Sequence, residues 1–214
     1  MMTNNVSIRR ASLLNLNEMV RLHIIAFPEY YLTHLGSRCV LGTYEQYFKS
    51  DCLLPIVAVE RDTIVGFIAG SLPGGRIDAD FWRKNFSAVT FAMIRGLLRC
   101  DRVIWGGLMD RVMRIPRAVK KRFGRDTRDD MRKLEEGKNG TGWLVSIAVD
   151  PDSRGRGVAK KMLNTFETLE RSGGAKRIRL CAYKTNARAL SFYEKNGFKI
   201  VGEKKLLYTL EKMI

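Results

Sequence analysis

The chain has 214 residues, of which 45% are hydrophobic and 28% charged, enough to bury one good core, so we expect a single domain over residues 1–214. Lysine and arginine exceed aspartate and glutamate by 16 charges. This balance suits anionic partners such as nucleic acid, an anionic membrane surface or phosphorylated substrates. The four cysteines form no C-x-x-C pair and the two histidines lie far from them, so we expect no metal site.

The N-terminal residues and the most apolar run of the chain both bear on its location. The N-terminal residues lack the apolar core of a signal peptide. The most apolar run, residues 86–98, is interrupted by Arg95 and is shorter than the ~20 residues that a membrane span needs. We therefore expect a cytoplasmic protein.

The N-terminal residues predict a strand followed by helices. Residues 6–10 form the strand, and a helix begins near Asn15 and ends before Pro28. A second helix is predicted over residues 43–49. The first helix carries an apolar stripe at helical spacing, formed by Met19, Leu22, His23 and Ala26. We interpret His23 as a core histidine without a catalytic role.

Residues 55–71 predict a β-hairpin whose strands are apolar enough to lie in the middle of a sheet. The first strand reads I-V-A-V-E, the turn falls at Arg61 and Asp62, and the second strand reads I-V-G-F-I-A-G-S. Glu60 ends the first strand. It is either a solvated carboxylate or a distant base that acts through water, and both interpretations stay open.

Residues 74–140 are too long for a plain loop and predict helices of their own. They hold 17 Lys and Arg against 9 Asp and Glu, a net charge of +8. Residues 111–125 carry seven basic residues and no acid. Two interpretations stay open: a helical lid on the core, or a peripheral element on the inner membrane surface. Nucleic acid is disfavoured because the aromatic residues fall mostly at apolar helical positions.

The stretch W-L-V-S-I-A-V-D-P-D-S-R-G-R-G-V-A predicts a strand over residues 143–149, a glycine turn, and a helix that begins near Val158. The helix carries apolar residues at helical spacing up to Leu169. Gly155 and Gly157 allow dihedral angles that are closed to other residues and a close approach of ligand to backbone. Unpaired amides and the positive end of the helix dipole meet at this turn, so it predicts an anion site for phosphate.

A second motif follows a strand predicted over residues 178–183. It reads K-T-N-A-R-A-L-S-F-Y-E-K-N-G-F, and two closing strands come after Gly197. Together the two motifs resemble the central motifs of the GNAT superfamily of acyl-CoA-dependent N-acyltransferases. The resemblance covers about residues 143–201. It implies an α/β (α+β) fold with a mixed, mainly antiparallel central sheet flanked by helices. Residues 74–140 then become a basic helical insertion between strands 3 and 4.

The resemblance also implies a binding site for acetyl-CoA between the strands of residues 143–149 and 178–183. The backbone of the first strand would pair with the pantetheine arm, the loop amides would hold the pyrophosphate, and Asn186 and Tyr193 would contact the cofactor. The family often has Gln or Arg where this chain has Asp152, which matters little because amides bind the phosphate. The implied cofactor-binding residues are Ile147, Ala148, Val149, Arg154, Gly155, Arg156, Gly157, Val158, Ala159, Asn186 and Tyr193.

The chemistry of amine acetylation can be stated from the residues. A neutral amine attacks a thioester, the oxyanion needs a donor, and the departing thiolate benefits from a proton. A phenol with a pKa near 10 can supply that proton, so Tyr193 is the candidate general acid. Glu29 and His34 are candidates for relaying the amine proton, with Glu60 as the distant third. Cys181 lies in a strand and is interpreted as a core residue, which disfavours an acyl-cysteine route.

In the GNAT arrangement residues 26–36 form one wall of the acceptor site, although packing of this aromatic segment on the sheet is an equal alternative. The segment also bears a looser similarity to GNAT members that occur with surface-polysaccharide biosynthesis. A small amine, such as an amino sugar on an anionic carrier, is the expected acceptor because a basic surface suits it. A protein or peptide amine, a non-catalytic CoA-binding or membrane-associated module, and a homodimer stay open.

Overall fold

The computed structural model describes residues 6–75 and 140–214. Within these two ranges, seven strands form one sheet in the order β1-β2-β3-β4-β5-β7-β6. All neighbouring pairs are antiparallel except β4 and β5, which are parallel. The expected mixed, mainly antiparallel sheet is therefore confirmed. The strands are β1 (Ser7–Arg10), β2 (Leu53–Glu60), β3 (Thr63–Ser71), β4 (Thr141–Val149), β5 (Arg177–Tyr183), β6 (Lys199–Glu203) and β7 (Leu207–Met213).

Helices pack on both faces of this sheet. Within the described residues they are α1 (Leu16–Ala26), α2 (Tyr31–His34), α3 (Ser37–Glu45), α4 (Val158–Ser172) and α5 (Ala187–Lys195), with 3-10 turns at Leu13–Asn15, Gln46–Phe48 and Pro151–Ser153. Alternate residues of one strand face opposite layers. Ile56 of β2 belongs to the core under α4, whereas its neighbour Val57 packs with α1 and α3. The sheet thus lies between two hydrophobic cores.

The hairpin of β2 and β3 matches its prediction. Arg61 and Asp62 form the turn with φ angles of 47° and 63°, the left-handed geometry of two-residue hairpin turns. Both strands are interior in the sheet order. β3 ends at Ser71 and β4 begins at Thr141, so the long segment enters between strands 3 and 4 as expected. The helices predicted within it, and the basic stretch of residues 111–125, lie outside the described residues.

The second helix was predicted in the wrong place. It begins at Ser37 rather than near residue 43, and it gives way to the Gln46–Phe48 turn after Glu45. Gly36, with a φ of 98°, separates it from the short α2. Gly42 lies inside this helix, and the low helix propensity of glycine argued against a helix that begins before it. Burial of Cys39, Val40 and Tyr44 stabilises the helix instead.

Close packing of α4 against β3 fixes the start of α4, where the glycine loop lies. Gly70 of β3 leaves no room for a Cβ atom, because the Phe166 ring occupies that space. A Cβ on Gly66 would lie 2.9 Å from the Met162 side chain. Both side chains are fully buried. The helix that carries the loop is therefore held firmly on the sheet.

Candidate active site

The sheet splits between β4 and β5. These strands pair only where Thr141, Gly142 and Trp143 face residues 177–179. β3 stays paired with β4 up to Val149, and β7 stays paired with β5 up to Tyr183. From Leu144 onward, β4 therefore turns one edge of its backbone towards the split rather than towards β5. Such an edge offers N–H and C=O groups to an extended ligand.

A β-bulge in β4 lies at the point where the split opens. Ser146 pairs with Ala69 and Leu144 pairs with Gly70, so Val145 is the extra residue. Its side chain is 52% exposed. A bulge bends its strand and increases the local twist. This bulge changes the direction of the β4 backbone at the point where β4 and β5 diverge.

A cleft of about 630 Å³ occupies the split. Nearly all the residues predicted to bind the cofactor line it: Ile147, Ala148, Val149, Arg154, Gly155, Gly157, Val158, Ala159, Asn186 and Tyr193. Arg156 does not, because its guanidinium is turned to Glu60, with Nη1 3.0 Å from Oε2 and Nη2 in contact with Oε1. The structure thus brings both sequence motifs together around one cleft.

The glycine loop has the geometry of an anion site. Gly155 and Gly157 have φ angles of 76° and 77°, and Gly157 is the N-cap of α4. Apart from each glycine and its chain neighbours, no heavy atom of residues 6–75 and 140–214 lies within 4 Å of a Cβ atom built on either glycine, so this part of the structure leaves the space in front of the loop open. The 15-residue helix α4 directs its positive end and its first N–H groups at this space. The loop can accept a phosphate group.

Tyr193 and Asn186 lie on the opposite wall, on and before α5. Asn186 caps the helix, since its Oδ1 accepts a hydrogen bond from the Ala189 amide at 3.0 Å. The Tyr193 ring lies between Phe192 and Phe198, with centroids 5.4 and 5.6 Å away. It is only 6% exposed. Burial, and secondarily Tyr30, raises the pKa of Tyr193. Its phenol therefore stays protonated well above neutral pH.

A second hollow, of about 400 Å³, adjoins the cleft and shares Phe27, Tyr30 and Asn186 with it. Its wall is aromatic: the Phe27 and Tyr30 centroids are 4.8 Å apart, and those of Tyr30 and Tyr183 are 5.0 Å apart. Burial raises the pKa of Tyr30, with Tyr183 adding to the rise and Asn186 opposing it. Glu29 is the one charged side chain among the described residues that line this hollow.

The candidate bases predicted from the sequence lie in different environments. Glu29 lines the second hollow, whereas His34 of α2 lines neither hollow. Glu60 is paired with Arg156, which lowers the pKa of this carboxyl and makes it a weak base. His23 is 3% exposed, and its Nδ1 lies 2.8 Å from the Tyr44 hydroxyl. Burial lowers the pKa of His23 to about 4, in line with its interpretation as a core histidine.

Cys181 was wrongly interpreted as a core residue. Its side chain is exposed and lines the cleft, while its neighbours Leu180 and Ala182 face the core under α4. The alternation of β5 therefore points Cys181 to the other face, at the split. Successive side chains of a strand point to opposite faces, so a position within a strand did not establish which face Cys181 takes. Sequence reasoning gave no cofactor role to several other residues of the cleft, although all but Tyr30 and Lys160 fall within the two motif stretches: Tyr30, Ser146, Ser153, Lys160, Arg188, Phe192, Lys195 and Asn196.

Comparisons with known proteins agree with this geometry. The acetyltransferase (GNAT) family model matches residues 124–198. The spermine/spermidine N(1)-acetyltransferase of Bacillus subtilis (strain 168) is 36% identical over 70 residues, 32% of this chain and 46% of that relative. The chain thus matches less than half the length of this curated relative.

Solved structures extend the likeness over nearly the whole chain. The PaiA N-acetyltransferase of Thermoplasma acidophilum, in complex with coenzyme A, has a TM-score of 0.59 at 15% identity, covering 98% of this chain and 99% of its own. Arabidopsis thaliana Naa50, in complex with the bisubstrate analogue CoA-Ac-MVNAL, has a TM-score of 0.56 at 16% identity, covering 98% and 99%. At these identities the likeness shows the fold.

A mixed sheet that splits between two parallel strands, with a glycine loop and a helix N-terminus at the split, defines the class of acyltransferase-like folds. Residues 124–198 match the GNAT family model, and the fold is that of the GNAT N-acetyltransferases among these solved structures. No helix within residues 6–75 and 140–214 has the length and apolar character that crossing a membrane requires.

Proposed function

We propose that this protein transfers an acetyl group from acetyl-CoA to a primary amine in a ternary complex. The observation that carries the proposal is the single cleft that joins the split edge of β4, the glycine loop and Tyr193. An extended acyl thioester with a phosphate at one end suits this arrangement. The loop would hold the pyrophosphate and the β4 edge would pair with the pantetheine arm. The match of residues 124–198 to the GNAT family model and the similarity to an acetyltransferase over 70 residues support the same reaction.

The proposed chemistry is direct attack of the amine on the thioester. The neutral amine nitrogen forms a bond to the carbonyl carbon, the carbon–sulfur bond breaks, and the sulfur leaves as a thiolate. The proton lost by the amine passes to water, and the thiolate takes up a proton from water, so that the products are the amide and the free thiol. Because burial raises the pKa of Tyr193, we assign the phenol as a hydrogen-bond donor to the departing sulfur. It is a weaker acid than a free phenol with a pKa near 10.

We place the acceptor in the aromatic hollow and infer that it is a small amine that carries positive charge. An ammonium group is attracted to aromatic faces and to a carboxylate. The hollow offers Phe27, Tyr30 and Tyr183 together with Glu29. Lys184, which adjoins Tyr183 in sequence, is paired with Glu203 and lies over the Tyr208 ring. This composition supports a cationic acceptor over the anionic amino-sugar carrier suggested by the net charge.

Other acceptors and roles remain alternatives. The peptide-like bisubstrate analogue bound by Arabidopsis Naa50 supports a peptide amine as the second candidate acceptor. The membrane contact, the homodimer, the lid and the cytoplasmic location remain predictions from the sequence. A non-catalytic CoA-binding module would share the cleft but would show no turnover.

The proposed reaction is tested by calorimetric titration with acetyl-CoA and by release of free thiol in the presence of amines. We expect micromolar binding by the wild type and its loss when Gly155 and Gly157 are both replaced by valine, since β-branched residues resist a positive φ. A Gly197→Val variant, at another positive-φ glycine outside the cleft lining, controls for general loss of folding. Binding without thiol release with any amine would favour the non-catalytic module.

The acceptor class is tested with matched amines. We compare 1,4-diaminobutane, butylamine and glucosamine 6-phosphate with the wild type and Glu29→Gln. We expect the diamine to have the lowest KM, and the variant to raise that KM about 5- to 20-fold while changing butylamine little, because one charge-assisted contact is lost. Glu194→Gln, an exposed change on α5, is the control. Preference for the sugar phosphate would overturn the acceptor class and leave acetyl transfer intact.

A further inference from the structure

An ion pair joins the hairpin of β2 and β3 to the glycine loop. Glu60 is the last residue of β2, and Arg156 is the loop residue between Gly155 and Gly157. Both carboxylate oxygens of Glu60 contact the guanidinium of Arg156, one of them at 3.0 Å. The Glu60 side chain is only 12% exposed. A two-point contact of this kind fixes the orientation of a side chain as well as its position.

This ion pair anchors the most adaptable part of the loop. Two glycines flank Arg156, and glycine loses more conformational freedom on ordering than any other residue. The first residue of the loop is tethered separately, since the Asp150 amide donates to the Val65 carbonyl at 2.9 Å and Arg21 lies 3.3 Å from the Asp150 carboxylate. The loop is therefore held to the body of the fold near both of its ends.

We propose that Glu60 is a positioning residue for acetyl-CoA, which holds the glycine loop in its phosphate-binding conformation through Arg156. The inference rests on the proposed function, in which the loop binds the pyrophosphate. With the loop ordered in advance, ligand binding does not have to supply the ordering free energy. Glu60 acts from outside the cleft, and Arg156 serves the loop through its side-chain anchor and its backbone rather than through a contact of the guanidinium with phosphate.

The alternative, a phosphate contact by the Arg156 guanidinium, makes the opposite prediction. If Glu60 restrains a phosphate-binding arginine, then removing the carboxylate frees that cation and tightens acetyl-CoA binding. If the ion pair orders the loop, then removing either partner weakens binding, and removing both costs no more than removing one. A double-mutant cycle separates the two cases, because the coupling term between Glu60 and Arg156 differs in sign.

The experiment measures the Kd of acetyl-CoA by calorimetry and the kinetics of acetyl transfer. The variants are Glu60→Gln, Arg156→Ala and the double variant, together with the charge swap Glu60→Arg/Arg156→Glu. We expect each single variant to raise the Kd about three- to tenfold and to leave kcat within about twofold. The Kd of the double variant should be no higher than that of the single variants. The charge swap should bring the Kd part of the way back to the wild-type value. The difference in Kd between each variant and the wild type should narrow at 0.5 M salt, because the Arg156 side chain is 33% exposed and salt can screen the pair.

The matched control is Glu45→Gln, which breaks the exposed pair between Glu45, the last residue of α3, and Lys49, 3.3 Å apart, and should leave the Kd unchanged. Hydrogen exchange of the amides of residues 154–158 without ligand tests the anchor independently of any activity. We expect faster exchange in Glu60→Gln than in Glu45→Gln. A lower Kd in Glu60→Gln, additive losses in the double variant, or unchanged exchange would overturn the proposal. Failure of the wild type to bind acetyl-CoA would refute the proposed function, and the exchange result would still decide the anchor.

Discussion

Replacing the buried carboxyl of Glu170 with an amide should change how stability depends on pH. Glu170 lies on α4 and is fully buried, and neither carboxylate oxygen has a hydrogen-bond partner in the described parts of the chain. Its carboxyl group lies against Gly142 of β4, where a Cβ atom would collide with it. Burial raises the pKa of Glu170 from 4.5 to about 8. The folded protein therefore keeps a proton at neutral pH that the unfolded chain has lost.

The sign and size of the change in unfolding free energy with pH follow from the difference in bound protons between the folded and unfolded states. Between pH 4.5 and 8 the folded state binds more protons at Glu170, so stability falls by up to about 1.4 kcal/mol per pH unit. His23 acts in the opposite direction: burial lowers its pKa from 6.5 to about 4, so its contribution is present above pH 6.5 and is lost on acidification. The two slopes nearly cancel between pH 4.5 and 6.5. From pH 6.5 to 8 Glu170 acts alone, a loss of about 2 kcal/mol, which relaxation of the site would reduce.

The assay is urea unfolding of the wild type and Glu170→Gln at half-unit steps from pH 5 to 8.5. We expect the unfolding free energy of the wild type to stay constant up to about pH 6.5 and then to fall by about 2 kcal/mol by pH 8. The variant should gain about 2 kcal/mol from pH 5 to 6.5 and then stay flat, because only His23 titrates. Glu194→Gln, an exposed change on α5, should follow the wild type. Parallel curves for the wild type and Glu170→Gln would refute the protonated, buried carboxyl.

Two further predictions concern Tyr193 and His23. Tyr193→Phe should lower kcat about 10- to 100-fold, because one hydrogen bond to a developing charge is lost, and should leave the Kd of acetyl-CoA within about twofold; Tyr208→Phe is the control, and an unchanged kcat in stopped-flow turnover would remove Tyr193 from the mechanism. His23→Gln should remove the contribution that offsets Glu170 below pH 6.5, so its unfolding free energy between pH 5 and 6.5 should fall with rising pH, where that of the wild type is flat. A thermal-melt series over the same range checks this, and a curve parallel to the wild type would contradict the assignment.

The parts of the site that sequence reasoning could predict are local in the chain. Gly155, Gly157 and the start of α4 lie within a few residues of one another, and periodicity with glycine chemistry defines a strand, a loop and a helix there. Asn186 is the N-cap of α5, and Tyr193 lies within the same helix. The structure places all four residues at one cleft. Their proposed contacts with acetyl-CoA remain predictions that the binding experiments above address.

The parts that the sequence could not predict depend on long-range pairing. The split of the sheet follows from pairing that stops at Trp143, and the bulge at Val145 shows only in the register against β3. The pair of Glu60 with Arg156 joins residues 96 positions apart. A carboxylate at the end of a strand looks the same in sequence whether it is solvated or paired. Only the fold distinguishes an anchor of the loop from a distant base.

The net charge of the chain is a poor guide to the acceptor, because charge is distributed unevenly along the site. Arg154, Lys160, Arg188 and Lys195 line the cleft, where the phosphates of acetyl-CoA would lie, whereas Glu29 is the charge lining the described part of the acceptor hollow. Under the proposed function, the anionic co-substrate accounts for the cations that line the cleft, so these cations carry no information about the amine. Ionic strength should distinguish a cationic acceptor from an anionic one. Salt screens the attraction of an ammonium to Glu29, so the KM of a diamine should rise with salt, whereas the KM of an anionic amino sugar, which Glu29 repels, should not rise.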